Sequence, residues 1–556
     1  YKFYIGERES RVRGEISQVV NYKFLHDRVQ QAAYSLIPDE QKQSTHLHIG
    51  QLLLQNLSEE QQDKHLFIIV NHWNQAIELI TDDAEKDKLI QLNVNAGEKA
   101  KASAAYGAAL QYFQTALSLI DSESWQTNYP LALKLHEANA ETAYLTGDFE
   151  LMETVIDRVL NHSQDLLDCV KVHEIKIQAK MAQVQQLEAL NIGIEFLRLL
   201  GIQVQESPQP EDLKAEIADI TQAMESKTIA DLANLPLMKD RKQLAKVNIL
   251  PSLLPPCYQA KPSLFPWVDC KLMQLLIQYG NTPQSSFIYS CHGMVCISVL
   301  QDFTSAAEYG ELACQLDLNP QTGDGVSGTY SAGSCIIHYS NHLKETLPLL
   351  LKSYQTGLET GNFEYGGYAI VKRSHYLYLT GHTHLTLKTE MAAISNAIDT
   401  MKQGHSLTWS NTLEQKVLNL LGDTEIPWEL VGTAYDETQS LSLQIAANDR
   451  TGLHYVYQYK LILCYLFDRI PQAVENAALA ESYLDGVTCF FDEYVCNFYN
   501  SLTQLAHYSY VKISEQKNIL EKVEANQAKM QYWANHAPMN GQHKYALVAA
   551  EKCLVL

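Results

Sequence analysis

Apolar residues recur at i, i+3, i+4 and i+7 along almost the whole chain, which is the period of an amphipathic helix, and runs of alternating β-branched residues are few. The pattern predicts a helical protein with one exception, at the start. Residues 1 to about 23 contain Gly6, Gly14 and the alternating stretch Glu15-Ile16-Ser17-Gln18-Val19-Val20, which predicts a short strand or wing followed by a helix from near His26. Helices are then expected over Asp27 to Leu36 and Gln41 to Leu54, with Pro38 at a helix N-terminus, where its missing N–H leaves no bond unmade. The longest charge-free run, Leu272 to Gln301, is interrupted by Gly280-Asn281-Thr282-Pro283, a turn signal that divides it into two buried helices instead of one membrane span.

From about residue 59 the helical pattern repeats itself. Gly97, Ala109, Phe113 and Ala116 follow one another at intervals of 12, 4 and 3, and Ala140, Met152, Ile156 and Val159 repeat those intervals around Gly147-Asp148-Phe149. Small residues allow two antiparallel helices to approach closely, and a larger one fills the hole offered by the next pair. Ala306, Gly310 and Ala313, then Ala473, Ala477 and Ala480, match the second-helix part. The pattern resembles tetratricopeptide repeats, but Gly97 and Ala140 lie 43 residues apart where such repeats take about 34. The expected fold is therefore all-α: an irregular TPR-like α-solenoid of antiparallel helix hairpins behind a small winged-helix-like remnant. Seven prolines at 208, 210, 251, 255, 256, 262 and 266 mark seams, because each restricts the residue before it. The expected segments are a winged-helix-like end of an ATPase module at 1–58, a first helical block at 59–205, a connector at 206–270, a second block at 271–512 and terminal helices at 513–556.

Composition narrows the function. Gly 26 and Pro 16 in 556 residues exclude collagen-like and linker-dominated chains. With 64 acidic against 42 basic residues the formal charge is −22, which repels phosphate backbones and anionic membranes, so neither nucleic acid nor a membrane is an expected partner. Eleven cysteines without a CxxC pair, in a chain too long to need staples, fit a reducing cytoplasm. The chain opens at Tyr1 without Met or an apolar leader and closes within a helical pattern, so it is expected to be a piece of a longer polypeptide.

No catalytic constellation emerges. Gly323, Gly325 and Gly328 spell GxGxxG, but a helical pattern precedes them where a dinucleotide site needs a strand, and Asp324 repels pyrophosphate; a helix-connecting loop is the expectation. No GxxxxGK[ST], HExxH or HRD is present. His382 and His384 lack a third ligand at metal spacing, and Cys291, His292, Cys296, Cys314, Cys335 and His338 match no zinc module, so no metal site is expected and the cysteines are read as packing residues. Tyr330, His338, Tyr339, Tyr365, Tyr368, His375, Tyr376 and Tyr378 crowd a stretch of low charge. Such side chains suit a concave small-molecule pocket, each giving an apolar body and a polar tip, but the 31 Tyr spread through the chain read mostly as packing between helices.

Longer stretches carry a family resemblance. The segment from Tyr22 to Pro38, with Phe24-Leu25-His26-Asp27 at its centre, resembles the part that follows the ATPase module in large bacterial signalling proteins. Those proteins join a serine/threonine-kinase-like domain, a STAND-type ATPase, helical repeats, a GAF domain and a histidine kinase. Similar stretches recur at Gln111 to Leu117, Leu197 to Gly201, Tyr465 to Phe467, Phe498 to Leu502 and Trp533 to Asn540, continued by His543-Lys544 and Leu547 to Glu551. The resemblance implies that the chain is the solenoid between ATPase and GAF domains, acting as a regulatory and protein-interaction arm. Its implied partners are its flanking domains and other signalling proteins; a small-molecule effector is instead the expectation of the alternative reading, a sensor with its pocket in the tyrosine-rich stretch around 325–380. It also implies no enzyme activity and no cofactor in this chain alone, with ATP, ADP and Mg confined to the parent protein. By the same resemblance His26 and Asp27 sense nucleotide phosphate there; the alternative is a helix start in which Asp27 complements the macrodipole.

Overall fold

Residues with left-handed backbone mark the places where this chain folds back on itself. Val184 (φ 63°), Gly361 (φ 80°), Lys402 (φ 57°) and Asp468 (φ 57°) each stand between two helices. The pairs they join are Val170–Ala182 with Gln186–Leu199, Thr346–Thr360 with Phe363–Leu379, His384–Thr400 with Gly404–Leu421, and Arg450–Leu466 with Ile470–Ser482. A residue at positive φ reverses the chain within two or three positions, so each connection is short and its helices run antiparallel. The next helix is then capped: Asn362 accepts from the Tyr365 amide, and Asp148 in an earlier hairpin accepts from Leu151.

The computed structural model describes the backbone of residues 4–12 and 15–23 and all of residues 34–556. Two nine-residue strands, Tyr4–Val12 and Glu15–Lys23, pair antiparallel from Tyr4↔Lys23 to Val12↔Glu15, so the expected wing is a hairpin. His26 and Asp27, and the helix expected to begin there, lie outside the described residues. The remaining described chain is helical apart from its connections.

Contacts divide the chain into two compact units. One runs to Lys101 and includes Gly107–Leu135; the other holds Ala102–Tyr106 and His136–Leu556. In the first, Ile69, Trp73, Ile80 and Leu89 form one apolar cluster, and a Cβ placed on Gly97 would fall 2.6 Å from the Phe113 ring. The helices Asp83–Ala102 and Tyr106–Ser118 carry these two residues, and Ala109 and Ala116 are buried on the same helix as Phe113. In the second unit the hairpins pack on their neighbours as an all-α solenoid, and Ala140, Ala306, Ala313, Ala473 and Ala480 are all buried.

The proline-containing stretch is helical and buried in part. Leu250–Leu253, Leu254–Ala260, Pro262–Leu264 and Phe265–Tyr279 are successive short helices with proline in their first turns, where no intrahelical N–H is required. Leu253, Leu254, Cys257 and Leu264 are buried there, so the stretch contributes core. The charge-free run breaks as its turn signal predicts, into Phe265–Tyr279 and Ser285–Val295, and no helix among the described residues is long and apolar enough to cross a membrane. Two five-residue π-helical turns, Cys296–Leu300 and Ala332–Ile336, interrupt the α pattern.

Candidate functional site

The tyrosine-rich stretch is distributed over two small cavities and a packed ionic centre. Tyr330 and Tyr368 line one cavity of about 50 Å³ together with Tyr365, Trp409, Phe287 and Gln259. His338 and Tyr339 line another of about 20 Å³, closed by Phe491, Tyr494 and Trp533. The larger has room for a few waters or a very small guest. Tyr376 donates its hydroxyl to the Ser334 carbonyl, and His375 lies 3.2 Å from the Tyr459 hydroxyl. Those two residues thus belong to the interior beyond the first cavity.

At that interior Lys372, on the Phe363–Leu379 helix, donates to Asp492 Oδ2 at 3.0 Å and to the Tyr455 hydroxyl at 2.7 Å. Its ammonium also stands 3.5 Å from the Phe490 ring centre. Gln458 Nε2 donates to the other Asp492 oxygen at 3.4 Å, and His375 Nδ1 is 3.9 Å from it. Burial pushes the Asp492 carboxyl up, but the charges of Lys372 and His375 outweigh it and hold the group at about 2. One carboxylate therefore ties the Phe363–Leu379, Arg450–Leu466 and Phe491–His507 helices together. Lys416 is buried nearby, 3.9 Å over Tyr378 and 4.4 Å over Tyr459, and desolvation brings its ammonium down to about 7.

The glycine loop uses its own carboxylates as anions. Asp317 accepts from the Thr329 amide at 2.6 Å and the Gly325 amide at 3.3 Å, and Asp324 accepts from the Val326 and Ser327 amides at 2.8 Å. Those are the donors a phosphate would need. A Cβ on Gly323 would meet Asp317 at 2.5 Å and one on Gly328 would meet Ser286 at 2.7 Å, so these glycines serve close packing. His292 pairs with Asp269 at 2.8 Å, and of the cysteines grouped with it Cys291, Cys296 and Cys335 are buried and Cys314 half-buried. Among the described residues no group of three or more His, Cys, Asp or Glu side chains is placed to hold a metal.

An alignment 415 positions long, covering 66% of this chain, is 23% identical to the hybrid signal transduction histidine kinase G of Dictyostelium discoideum. The chain is distantly homologous to part of that protein. It spans 12% of the relative's length. No protein-family model matches the chain. The relative is a Dictyostelium protein, whereas the stretches quoted above resemble bacterial ones.

Lys372, Lys416 and Asp492 were absent from the candidate residues read from the sequence. A lone charge in a helix ordinarily reads as a solvated face, and its partner here is 120 positions away. The signal that points to them is local: Lys372 and Lys416 each sit in a helix whose other residues are mostly aromatic, apolar or uncharged.

Proposed function

We propose that this chain is the regulatory and protein-interaction arm of a multidomain, cytoplasmic signal-transduction kinase. The observation that carries the reading is the homology itself: a mostly helical chain corresponds to 12% of a hybrid histidine kinase and so to one segment of a much larger signalling protein. In the parent, the arm lies between a STAND-type ATPase, which binds ATP or ADP with Mg, and a GAF domain followed by a histidine kinase, with a serine/threonine-kinase-like domain at the far end. The chain itself performs no chemical step; its role is conformational.

A stack of hairpins in which each touches its neighbours transmits a change of curvature along its length. The Lys372–Asp492 tie supports this, because it gives three helices one shared hydrogen-bonded arrangement that a shift of any one would break. The test mixes the isolated chain with separately expressed flanking domains and follows limited proteolysis, ATP hydrolysis and phosphotransfer. Protection of the chain and a changed rate at either end are expected. Neither protection nor a rate change would make the arm a passive spacer, and ATP turnover by the chain alone would overturn its non-enzymatic role.

A further inference from the structure

Within the larger unit, residues 136–146 of the Tyr129–Thr146 helix, the Val170–Ala182 helix, the buried proline stretch and the turn at 360–365 enclose a polar cleft of about 240 Å³. Its charged walls are mostly spoken for. Lys171 is 3.2 Å from Glu141 and 3.8 Å from Glu174, and both oxygens of Asp324 accept bonds, Oδ1 from two loop amides and Oδ2 from Ser327 and Asn362.

Glu364 is different. It is 7% exposed, lines the cleft, and has a single protein partner, the Tyr368 hydroxyl, which donates to Oε1 at 3.0 Å. Gln259 Nε2 in turn donates to that hydroxyl at 2.9 Å, so the two donors of this chain run toward Glu364. At the far end the Gln259 carbonyl oxygen is buried without a partner. The second Glu364 oxygen can be closed only by the residue's own proton or by a donor arriving through the cleft. Burial raises the carboxyl to about 7, so both forms are accessible near neutrality. The Tyr144 and Tyr365 phenols also face it, and burial pushes both further up, so neither is charged there. Phe287, Phe363 and Leu145 supply apolar wall on the same cleft.

We propose that this cleft binds a small organic amine, with the ammonium on Glu364 and the hydrocarbon part against Phe287, Phe363 and Leu145. Where Glu364 starts protonated, the exchange is balanced: the carboxylic acid gives its proton to solvent and the carboxylate accepts a charge-assisted bond from the incoming ammonium. A neutral guest of the same shape leaves the acid protonated and gains no such bond. The inference is independent of the relay reading, because it concerns binding to the isolated chain.

The experiment is titration calorimetry of this chain with 2-phenylethylamine, putrescine and ethanolamine, with 2-phenylethanol as the uncharged control, in buffers of different ionisation enthalpy. At least one amine is expected to bind and the alcohol is not. Binding should release close to one proton at about pH 6 and almost none at about pH 8, on either side of the Glu364 midpoint. Glu364→Gln, which can still accept from Tyr368, should weaken amine binding by about tenfold or more. Absence of binding by all three amines, unchanged affinity in Glu364→Gln, or amine binding at pH 6 without proton release would each overturn the proposal. The proton count is read on the unaltered chain, so it stands even if the variant fails to fold.

Discussion

Lys372 Nζ and Asp492 Oδ2 meet at 3.0 Å, with side-chain exposures of 3% each, in a setting otherwise made of tyrosine, phenylalanine and histidine rings. Removing two charges from water is expensive, and the pair stands because Tyr455 and Gln458 satisfy what it leaves over. Losing one partner strands the other. Asp492→Asn and Lys372→Met are each expected to lower unfolding free energy by about 3–5 kcal/mol in urea titrations. The double variant Lys372→Met with Asp492→Leu should lose much less than the sum. A single variant within about 1 kcal/mol of the parent would show that the pair is no tie.

Acid should weaken this fold through histidine before it does so through Asp492. His338 is buried between Tyr339, Tyr376 and Phe491 with neither ring nitrogen hydrogen-bonded, and desolvation brings it down to about 3; His375 is lowered to about 3 by burial and by Lys372. The unfolded chain takes up these protons near 6.5 and the folded chain only near 3, so the contribution of these two histidines to stability falls as pH drops across that interval. His338→Phe should flatten the slope of denaturation midpoint against pH and raise stability by about 1 kcal/mol at neutrality, since an unmade pair of polar sites is removed. An unchanged slope would mean that His338 finds a partner.

How far the sequence foretold this varies with the range of the interaction. The 3.6-residue period and turn residues such as Gly147 and Gly280 act over a few positions, so the helices and these turns were legible. Gly97 and Phe113 are 16 residues apart, and their spacing already carried the close approach that places one against the other. The proline stretch read as a seam because proline ends helices; whether it is exposed or buried depends on distant neighbours, such as the Thr488 carbonyl that Tyr258 reaches across 230 positions. The weakly charged helices around Lys372 and Lys416 hint at their burial, but the groups that cover them come from other hairpins. Glu364 meets Tyr368 on its own helix, and only the packing of distant elements buries it.

Mild alkali, up to about pH 8.5, should strengthen the fold through two buried lysines. Lys416 is brought down to about 7 and Lys544 to about 8, both by burial, against 10.5 in the unfolded chain. Between those values the unfolded state binds more protons, so these groups make stability rise with pH, by up to about 1.4 kcal/mol per unit for each. Lys416→Met should lessen the rise in melting temperature between about pH 7 and 8.5, below the range in which the thiols of the unfolded chain ionise. A rise as steep as the parent's would place the Lys416 ammonium in water.

Gly280 is held where no side chain fits. Its φ is +107°, and a Cβ would fall 1.9 Å from the Pro236 carbonyl oxygen, which accepts from the Asn281 amide at 2.8 Å. The Met238 amide returns a bond to the Asn281 carbonyl at 2.8 Å, pinning the turn between Phe265–Tyr279 and Ser285–Val295. Gly280→Ala combines strained backbone with a backbone clash and should cost about 3 kcal/mol or more. Gly201→Ala is the control, since φ there is also positive at +84° but no atom lies within 4 Å of the added Cβ. Equal losses in the two variants would assign the whole effect to φ and none to the contact with Pro236.

Thiol chemistry offers a check on the core as a whole. Of the eleven cysteines Cys553 is exposed, Cys314 is half-buried and the rest are buried. Burial pushes the Cys335 and Cys496 thiols up to about 12 and the Cys464 thiol to about 11. Disulfide reagents are attacked by the thiolate, so a buried thiol with a raised pKa is slow for two reasons at once. Ellman's reagent should therefore give one fast equivalent in the native chain, a slow one from Cys314, and the full eleven only in denaturant. Cys553→Ser should abolish the fast phase and leave the denatured count lower by one. Several fast equivalents surviving in that variant would mean that the helix pairs open on the timescale of the reagent, which the packing around Cys257, Cys291 and Cys489 does not permit.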